Sequence, residues 1–255
     1  MNKPPMHPGQ NIQGQVLEWM PTDTKENFDR LMQNPQHRVY FESLGWDQPG
    51  AITYRINSDG FRSAEFDTTG NWFLALGCSY TMGIGLPESA LWPTLVAECL
   101  GLNCANLAWG GSSADTCFRL AEYWIPRLRP KAVAMLAPPR DRIELLLCPD
   151  LLTHTHTPPV EVYMPHSLAD SFSDRDRYLA HWFAEGQNGS VNNRKNKLAV
   201  RQICADLDIP CVTFDAHEFM SGTREELGYA RDYMHGGLPA HRNIAKRVLN
   251  ALETQ

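Results

Sequence analysis

The sequence lacks any apolar run that approaches the length of a membrane span, which needs about 20 residues. Its N-terminus, MNKPPMHPGQNIQGQ, also lacks the apolar core of a signal peptide. We therefore expect no membrane partner and no secretion of this chain.

Basic runs are absent as well. The 23 Lys and Arg residues are outnumbered by 29 Asp and Glu residues, which gives a formal net charge of −6. Proteins that bind nucleic acid usually present clustered positive charge. We therefore expect no nucleic-acid partner for this chain.

Paired cysteine motifs are missing too. The seven cysteines are odd in number and include no Cys-x-x-Cys pair. Most of them lie among apolar residues, where a thiol packs as a small hydrophobic group. This pattern disfavours a disulfide framework and a structural zinc site, and it makes a reducing cytoplasm the expected compartment.

The sequence predicts no cofactor and no metal site. His154 and His156 would share one face of a strand, but no carboxylate or cysteine lies at a matching spacing. The glycines Gly83 and Gly85 are not followed by the Gly-Lys-Ser/Thr of a phosphate-binding loop.

The part of the chain before Trp72 is predicted to be an N-terminal extension, residues 1–66, packed on a main domain of residues 67–255. A capping signal at residues 23–26 predicts a short helix that ends near Met32, before Asn34-Pro35. Residues 51–56 alternate as a strand does and lead into a tight turn at residues 57–60.

From Trp72 onward, predicted strands alternate with predicted helices. The strands are expected at residues 72–76, 103–107, 131–136 and 209–214, and the helices at residues 89–100, 114–128, 191–207 and 239–252. Such alternation is typical of parallel strands joined by right-handed crossovers, with helices on both faces of the sheet. The predicted fold is therefore an α/β class three-layer α/β/α sandwich with a central parallel sheet.

Residues 143–190 are the least regular part of the main domain, with several prolines and a run of Ser, Asp and Arg. A long irregular insertion inside a compact domain often serves function. We expect this insertion to fold over the mouth of the site and to set substrate choice.

The stretch WFLALGCSYTMGIG, residues 72–85, carries the candidate nucleophile. Its predicted strand stops at Gly77, so the hydroxyl of Ser79 would lie at the carboxyl edge of the sheet, where open α/β folds bind ligands. Strand alternation would turn Cys78 away from that edge. A glycine-rich turn with an incidental serine remains the alternative.

Asp232 and His235, just before the last predicted helix, are the candidate acid and base. A serine hydroxyl is a poor nucleophile at neutral pH until a base takes its proton, and an imidazole serves this purpose. A carboxylate fixes the imidazole tautomer and stabilises the imidazolium that forms. A separation of three residues lets one local turn bring both side chains into the same pocket.

Several blocks of this sequence resemble those of the SGNH (GDSL-type) hydrolases across residues 57–252. The blocks are Gly77-Cys78-Ser79-Tyr80-Thr81, Asn106-Leu107-Ala108-Trp109-Gly110-Gly111, Asp232-Tyr233-Met234-His235 and the Asn-x-x-Gly-x-Arg element at residues 57–62. Cys78 stands where that family usually has aspartate. For the element at 57–62, an accessory hairpin that covers a sheet edge is the alternative.

The resemblance implies a flavodoxin-like fold, a Ser79–His235–Asp232 triad, and an oxyanion hole that includes the N–H groups of Ser79 and Gly111. The family's third block, Gly-x-Asn-Asp, is not matched: Ala-Pro-Pro-Arg-Asp-Arg occupies residues 137–142. Arg140 is the predicted replacement for the missing asparagine donor. The alternative is an arginine paired with Asp141 or Glu144 at the surface.

The expected reaction is hydrolysis of an ester through an acyl-serine, for example removal of a small acyl group such as acetyl from a glycan or a metabolite. Tyr80, Trp109 and Ser112 are predicted to line the substrate pocket. An acyltransferase that uses the same acyl-enzyme and a non-catalytic binding protein on the same fold remain alternatives. The oligomeric state is left open.

Overall fold

A computed structural model describes residues 7–68, 70–146, 160–163, 174–184 and 186–254. The N-terminal extension contains a 3-10 helix (Pro8–Ile12), strand β1 (Val16–Leu17), helix α1 (Lys25–Met32), helix α2 (Pro35–Leu44) and strand β2 (Tyr54–Arg55). β1 and β2 pair antiparallel.

Helix α1 begins where the capping signal predicted, because the Thr24 side chain accepts the N–H of Asn27 at 3.1 Å. Helix α2 was not predicted, since Asn34-Pro35 was interpreted only as the end of α1. Pro35 instead starts a new helix: its missing N–H costs nothing in a first turn, and the Asn34 side chain caps it. The strand predicted at residues 51–56 is reduced to the two residues of β2.

The central sheet of the main domain has four parallel strands: β3 (Trp72–Leu76), β4 (Asn103–Asn106), β5 (Ala132–Ala137) and β8 (Cys211–Asp215). Their order is β4-β3-β5-β8. The chain starts in the middle of the sheet and then winds to both sides, as in flavodoxin-like folds. The α/β class and the parallel sheet are therefore confirmed.

Two helical layers cover the sheet, and the alternation of side chains along each strand divides the core between them. Phe73 and Ala75 of β3 pack with helices α4 (Trp92–Leu100) and α10 (Leu238–Leu252). Leu74 and Leu76 face α5 (Ala114–Leu128) and α7 (Asn188–Ala205) on the other side. Each fully buried Leu or Phe side chain contributes roughly 1.5–3 kcal/mol, so both layers add to the stability of the fold.

Shorter elements complete the described chain. They are α3 (Ser79–Met82), a 3-10 turn (Glu88–Ala90), an antiparallel pair β6 (Ile143–Leu146) and β7 (Val160–Tyr163), α6 (Asp174–Ala184), α8 (His217–Met220) and α9 (Arg224–Leu227). The segment 143–190 is thus more regular than predicted, because it includes a hairpin, a helix and the start of α7. Residues 147–159 and 164–173, with His154 and His156, lie outside the described residues.

A third apolar cluster joins the extension to the main domain. Phe28, Phe41 and Tyr54 of the extension are buried together with Ile84 and Trp109, which belong to loops at the carboxyl edge of the sheet. The extension therefore packs against the edge where ligands bind in open α/β folds. In the part of the chain that the structure describes, no helix is long and apolar enough to cross a bilayer.

Candidate active site

Ser79 lies where β3 ends and α3 begins, and only 7% of it is exposed. The turn requires glycine at position 77, since a Cβ there would lie 2.1 Å from Thr81 Oγ1. Ser79 is the first residue of α3, so its N–H has no partner within that helix. The hydroxyl and the N–H are both presented at the carboxyl edge of the sheet.

Asp232 and His235 form a tightly bonded pair. The imidazole Nδ1 lies 2.6 Å from Asp232 Oδ2. The other carboxylate oxygen accepts the backbone N–H groups of Met234 at 3.0 Å and His235 at 3.1 Å. Tyr233 takes a left-handed conformation, with φ of 59°, which closes this turn. The Asp232 carboxylate thus shapes the loop and orients the imidazole of His235. Nε2 of the imidazole is then available to bond a group in the cavity.

Thr22 of the extension is a further partner of the carboxylate, and sequence reasoning missed it. Its hydroxyl donates to Asp232 Oδ2 at 2.7 Å. The side-chain amide of Asn27 donates to the carbonyls of both Thr22 and Asp232, at 2.9 and 3.0 Å. Thr22 is 210 positions from Asp232 along the chain, and no local pattern in the sequence indicates such a contact.

These hydrogen bonds keep the Asp232 carboxyl ionised. Burial alone would raise its pKa, but the hydrogen bond and charge of His235, followed by the hydrogen bond from Thr22, lower the pKa below its ordinary value. A carboxylate in this state stabilises a protonated imidazole beside it.

Two buried arginines hold the loops that surround the site. Arg62 is 1% exposed and donates to the carbonyls of Gly83 at 2.6 Å and Leu86 at 2.8 Å. It therefore supports the loop that follows α3. The segment at residues 57–62 forms a turn rather than a strand, with the N–H of Gly60 donating to the carbonyl of Asn57 at 3.0 Å.

The second buried arginine, Arg231, directly precedes the Asp232–His235 pair. It is bidentate to Asp23, with Nε–Oδ1 and Nη2–Oδ2 distances of 2.9 and 2.7 Å. Tyr54 donates to the same aspartate and accepts the N–H of Gly85 at 2.7 Å. The extension therefore fixes the backbone next to Asp232.

A cavity of about 440 Å³ is lined by both Ser79 and the imidazole of His235. The residues that line it are Met20, Pro21, Thr22, Ser79, Tyr80, Ile84, Trp109, Gly110, Gly111, Arg142, Met234 and His235. The cavity thus brings together side chains from the extension, the loops after β3 and β4, and the loop before α10. Among the described residues no hydrogen bond joins Ser79 Oγ to His235 Nε2. In free enzymes such bonds often tighten only when substrate binds.

Of the predicted pocket residues, Tyr80 and Trp109 line the cavity and Ser112 does not. Tyr80 packs edge-on against His235, with 5.0 Å between ring centroids. Burial raises the pKa of Tyr80, so its hydroxyl stays neutral. Ser112 is 4% exposed and faces the protein interior, while its carbonyl accepts a hydrogen bond from Arg142. The prediction that Ser112 lines this pocket therefore requires correction, because its side chain is buried outside the cavity.

The prediction for Arg140 also requires correction. Its side chain is exposed and lies near Ser190 at 3.3 Å and His217 at 3.2 Å, outside the cavity. The alternative holds in part: Arg140 lies at the surface, but among the described residues no ion pair joins it to Asp141 or Glu144, and Glu144 pairs with Arg119. The arginine that lines the cavity is Arg142, two residues further along the chain.

Gly111 lies at the cavity wall with a φ of 81°, a conformation that favours glycine. The preceding Asn106 braces this region. Its side-chain amide donates to the Thr81 carbonyl at 2.9 Å, and its side-chain oxygen accepts the N–H of Ala108 at 3.2 Å. The loop after β4 is thereby tied to the helix that carries Ser79.

Other polar groups do not form a second site among the residues that the structure describes. No cluster of three His, Cys, Asp or Glu side chains in these ranges has a metal-binding arrangement. Cys78 is fully buried and does not line the cavity, in agreement with strand alternation.

Comparisons with known proteins give structural but not sequence matches. No protein-family model and no curated sequence matches this chain. Among solved structures, the chain is similar to the psychrotrophic esterase EstA from Pseudoalteromonas sp., with 14% identity and a TM-score of 0.35 over 72% of this chain and 97% of that one.

Two further structures are similar to a comparable degree. One is a carbohydrate acetylesterase family member from Sinorhizobium meliloti, with 10% identity and a TM-score of 0.33 over 72% of this chain and 100% of that one. The other is an acetylxylan esterase from Geobacillus stearothermophilus, with 13% identity and a TM-score of 0.34 over 73% and 96%. TM-scores this low do not assign chemistry, which must come from this chain's own residues.

Proposed function

We propose that this protein is a serine hydrolase that cleaves esters through an acyl-serine intermediate. One observation carries the proposal: His235, which is bonded to Asp232, and a serine at the start of a helix line the same cavity at the carboxyl edge of a parallel sheet. Nucleophile, base and orienting acid are the minimal set for acyl transfer to a hydroxyl.

In the first half-reaction, Ser79 Oγ attacks the ester carbonyl carbon while His235 Nε2 takes the hydroxyl proton. The negative oxygen of the tetrahedral intermediate accepts hydrogen bonds from the N–H groups of Ser79 and Gly111. Collapse breaks the bond to the alcohol, which leaves with the proton from His235. In the second half-reaction, a water molecule gives a proton to His235 and attacks the acyl carbon. Collapse of the second intermediate breaks the bond to Ser79 Oγ, which takes the proton back from His235, and the acid is released.

The cavity wall suits a small acyl group. Apolar side chains such as Met20, Ile84 and Met234 make up much of its lining, and its volume of about 440 Å³ is within the range of small-molecule sites. We therefore expect the substrate to be an ester of a short acid with a small molecule or a glycan.

The proposal is tested with an active-site probe and a chromogenic ester. We expect a fluorophosphonate to label Ser79, and both Ser79→Ala and His235→Ala to lose turnover of 4-nitrophenyl acetate by at least about 10³-fold. Ser221→Ala, which changes an exposed serine outside the cavity, is the matched control. Labelling at another serine, or full turnover by Ser79→Ala, would exclude the mechanism.

A further inference from the structure

Arg142 is the one permanently charged side chain among the described residues that line the cavity. It is partly buried, and its one hydrogen bond runs from Nη1 to the Ser112 carbonyl at 3.1 Å. The rest of the guanidinium, with its other N–H groups, has no partner among the described residues. Such a group is a ready donor to a ligand.

The acidic residues nearest to Arg142 in sequence are Asp141 and Glu144, and neither forms an ion pair with it among the described residues. Glu144 accepts from Arg119 Nε at 2.7 Å and from the Thr116 hydroxyl at 2.6 Å. Asp115 accepts the side-chain amides of Asn192 and Asn196, at 3.0 and 2.9 Å. No ion pair within the described ranges involves Arg142, and its side chain lines the cavity.

The position of Arg142 places this charge close to the reacting groups. Tyr80 packs on His235, and the positive charge of Arg142 opposes the rise that burial causes in the pKa of Tyr80. An arginine presents a planar fork that binds a carboxylate or phosphate through two hydrogen bonds. Partial burial weakens the screening of that attraction by water.

We propose that the substrate carries an anionic group, a carboxylate or a phosphate, which Arg142 binds while the ester lies against Ser79. This inference rests on the proposed function and adds the class of ester to it. The carboxylate and the phosphate are both small oxyanions, and either would occupy the same cavity as the ester carbonyl that is cleaved. The anion belongs to either the acyl part or the alcohol part of the substrate.

Matched substrates test the inference. Mono-4-nitrophenyl succinate carries an anion on the acyl side, 4-acetoxybenzoate carries a carboxylate on the leaving side, and 4-acetoxyphenyl phosphate carries a phosphate there. Each is compared with a neutral ester of similar leaving ability. We expect Arg142→Gln to lower kcat/KM for at least one anionic ester about 10–100-fold more than for its neutral counterpart.

Arg140→Gln is the matched control, because it removes the same charge two positions away and outside the cavity. We expect its ratio of anionic to neutral kcat/KM to stay within twofold of the unmodified protein. An equal loss on both kinds of ester in Arg142→Gln, or an equal change in ratio in Arg140→Gln, would overturn the inference.

A binding measurement separates this inference from the proposed function. Calorimetry with phenyl phosphate and with benzoate, on Ser79→Ala, needs no turnover. At least tenfold weaker binding after Arg142→Gln in that background supports the anion site, and unchanged binding or none contradicts it. Failure of the fluorophosphonate to label Ser79 contradicts the hydrolase alone.

Discussion

Thr22 combines an unfavourable backbone conformation with a contact to the candidate acid. Its φ is 73°, in the left-handed region that β-branched residues rarely adopt. Such conformations cost about 1–3 kcal/mol and persist where the surrounding structure imposes them, often at functional sites. Here the hydroxyl donates to Asp232, so we regard Thr22 as a positioning residue that acts through the carboxylate and the imidazole.

Thr22 variants separate this role from a structural one. We expect Thr22→Gly to relieve the backbone strain and leave the free energy of unfolding equal or higher, while kcat for 4-nitrophenyl acetate falls about tenfold. Thr22→Ser, which keeps the hydroxyl, should recover most of that loss. Denaturant unfolding and steady-state kinetics measure the two effects.

The pH profile gives a second measurement on Thr22. Without the hydroxyl, the Asp232 carboxyl loses one of the hydrogen bonds that lower its pKa. The fall of kcat/KM on the acid side of the pH profile should therefore change position in Thr22→Gly. In Thr22→Ser it should return to the position seen in the unmodified protein. Equal kinetics and profiles for Gly, Ser and Thr at position 22 would contradict a positioning role.

At the scale of elements, the N-terminal extension acts as one wall of the site as well as packing on the domain. Met20, Pro21 and Thr22 line the cavity. The Asp23–Arg231 ion pair links the loop before α1 to the loop of the Asp232–His235 pair. Both partners are buried, with side-chain exposures of 1% and 0%. Arg231 also lies over the Trp19 ring at 4.5 Å.

We expect Arg231→Met to lower the free energy of unfolding by about 3–5 kcal/mol, because it leaves the Asp23 carboxylate buried without its partner. Arg55→Met is the matched control, since it breaks an exposed pair with Glu88 at 3.5 Å and should cost less than about 1 kcal/mol. Urea unfolding of both variants measures the difference.

A double-mutant cycle with Asp23→Leu tests the coupling of this pair. The cost of the double variant should be well below the sum of the single costs, because neither charge is left alone. Additive costs would show that Arg231 acts through packing on Trp19 rather than through Asp23.

At the scale of the whole molecule, two buried histidines make stability depend on pH. Burial lowers the pKa of His7 to about 4 and that of His241 to about 3. Each makes one ring hydrogen bond: His7 to the Asp59 carbonyl at 3.0 Å and His241 from the Trp92 N–H at 3.0 Å. Among the described residues, the charged neighbours that act on the two rings are Arg119 at His7 and His235 and Arg62 at His241, which all disfavour the charged ring.

The sign follows from proton binding. An unfolded histidine gains its proton near pH 6.5, whereas the folded sites resist protonation until about pH 4 and 3. Between these values the unfolded chain holds more protons, so stability falls as pH falls. Each histidine contributes a slope of up to about 1.4 kcal/mol per pH unit.

We expect His7→Gln to make the dependence of unfolding free energy on pH between 6 and 4.5 shallower by about one histidine's slope. The glutamine amide can still donate to the Asp59 carbonyl, which limits other changes. Denaturant midpoints at three pH values measure the slope. An unchanged slope would mean that the folded site binds its proton as readily as the unfolded chain does.

The sequence by itself determined the elements whose cause is local. The abrupt apolar run at residues 72–76, the capping signal at residues 23–26 and the alternation of strands with helices predicted the sheet, its helical layers and most boundaries. Asp232 and His235 were predicted as a pair, because three residues of separation let one turn join them. Their role in catalysis stays a prediction.

Only the tertiary structure decided which residues from distant segments meet. It placed Thr22 on Asp232 and Arg142 in the cavity, and it turned Arg140 and Ser112 away. Contacts across some two hundred positions depend on how the extension packs on the sheet edge, and the direction of a loop side chain depends on single backbone torsions. Neither leaves a periodic signal in the sequence, which is the physical reason that the pair was predicted and its surroundings were not.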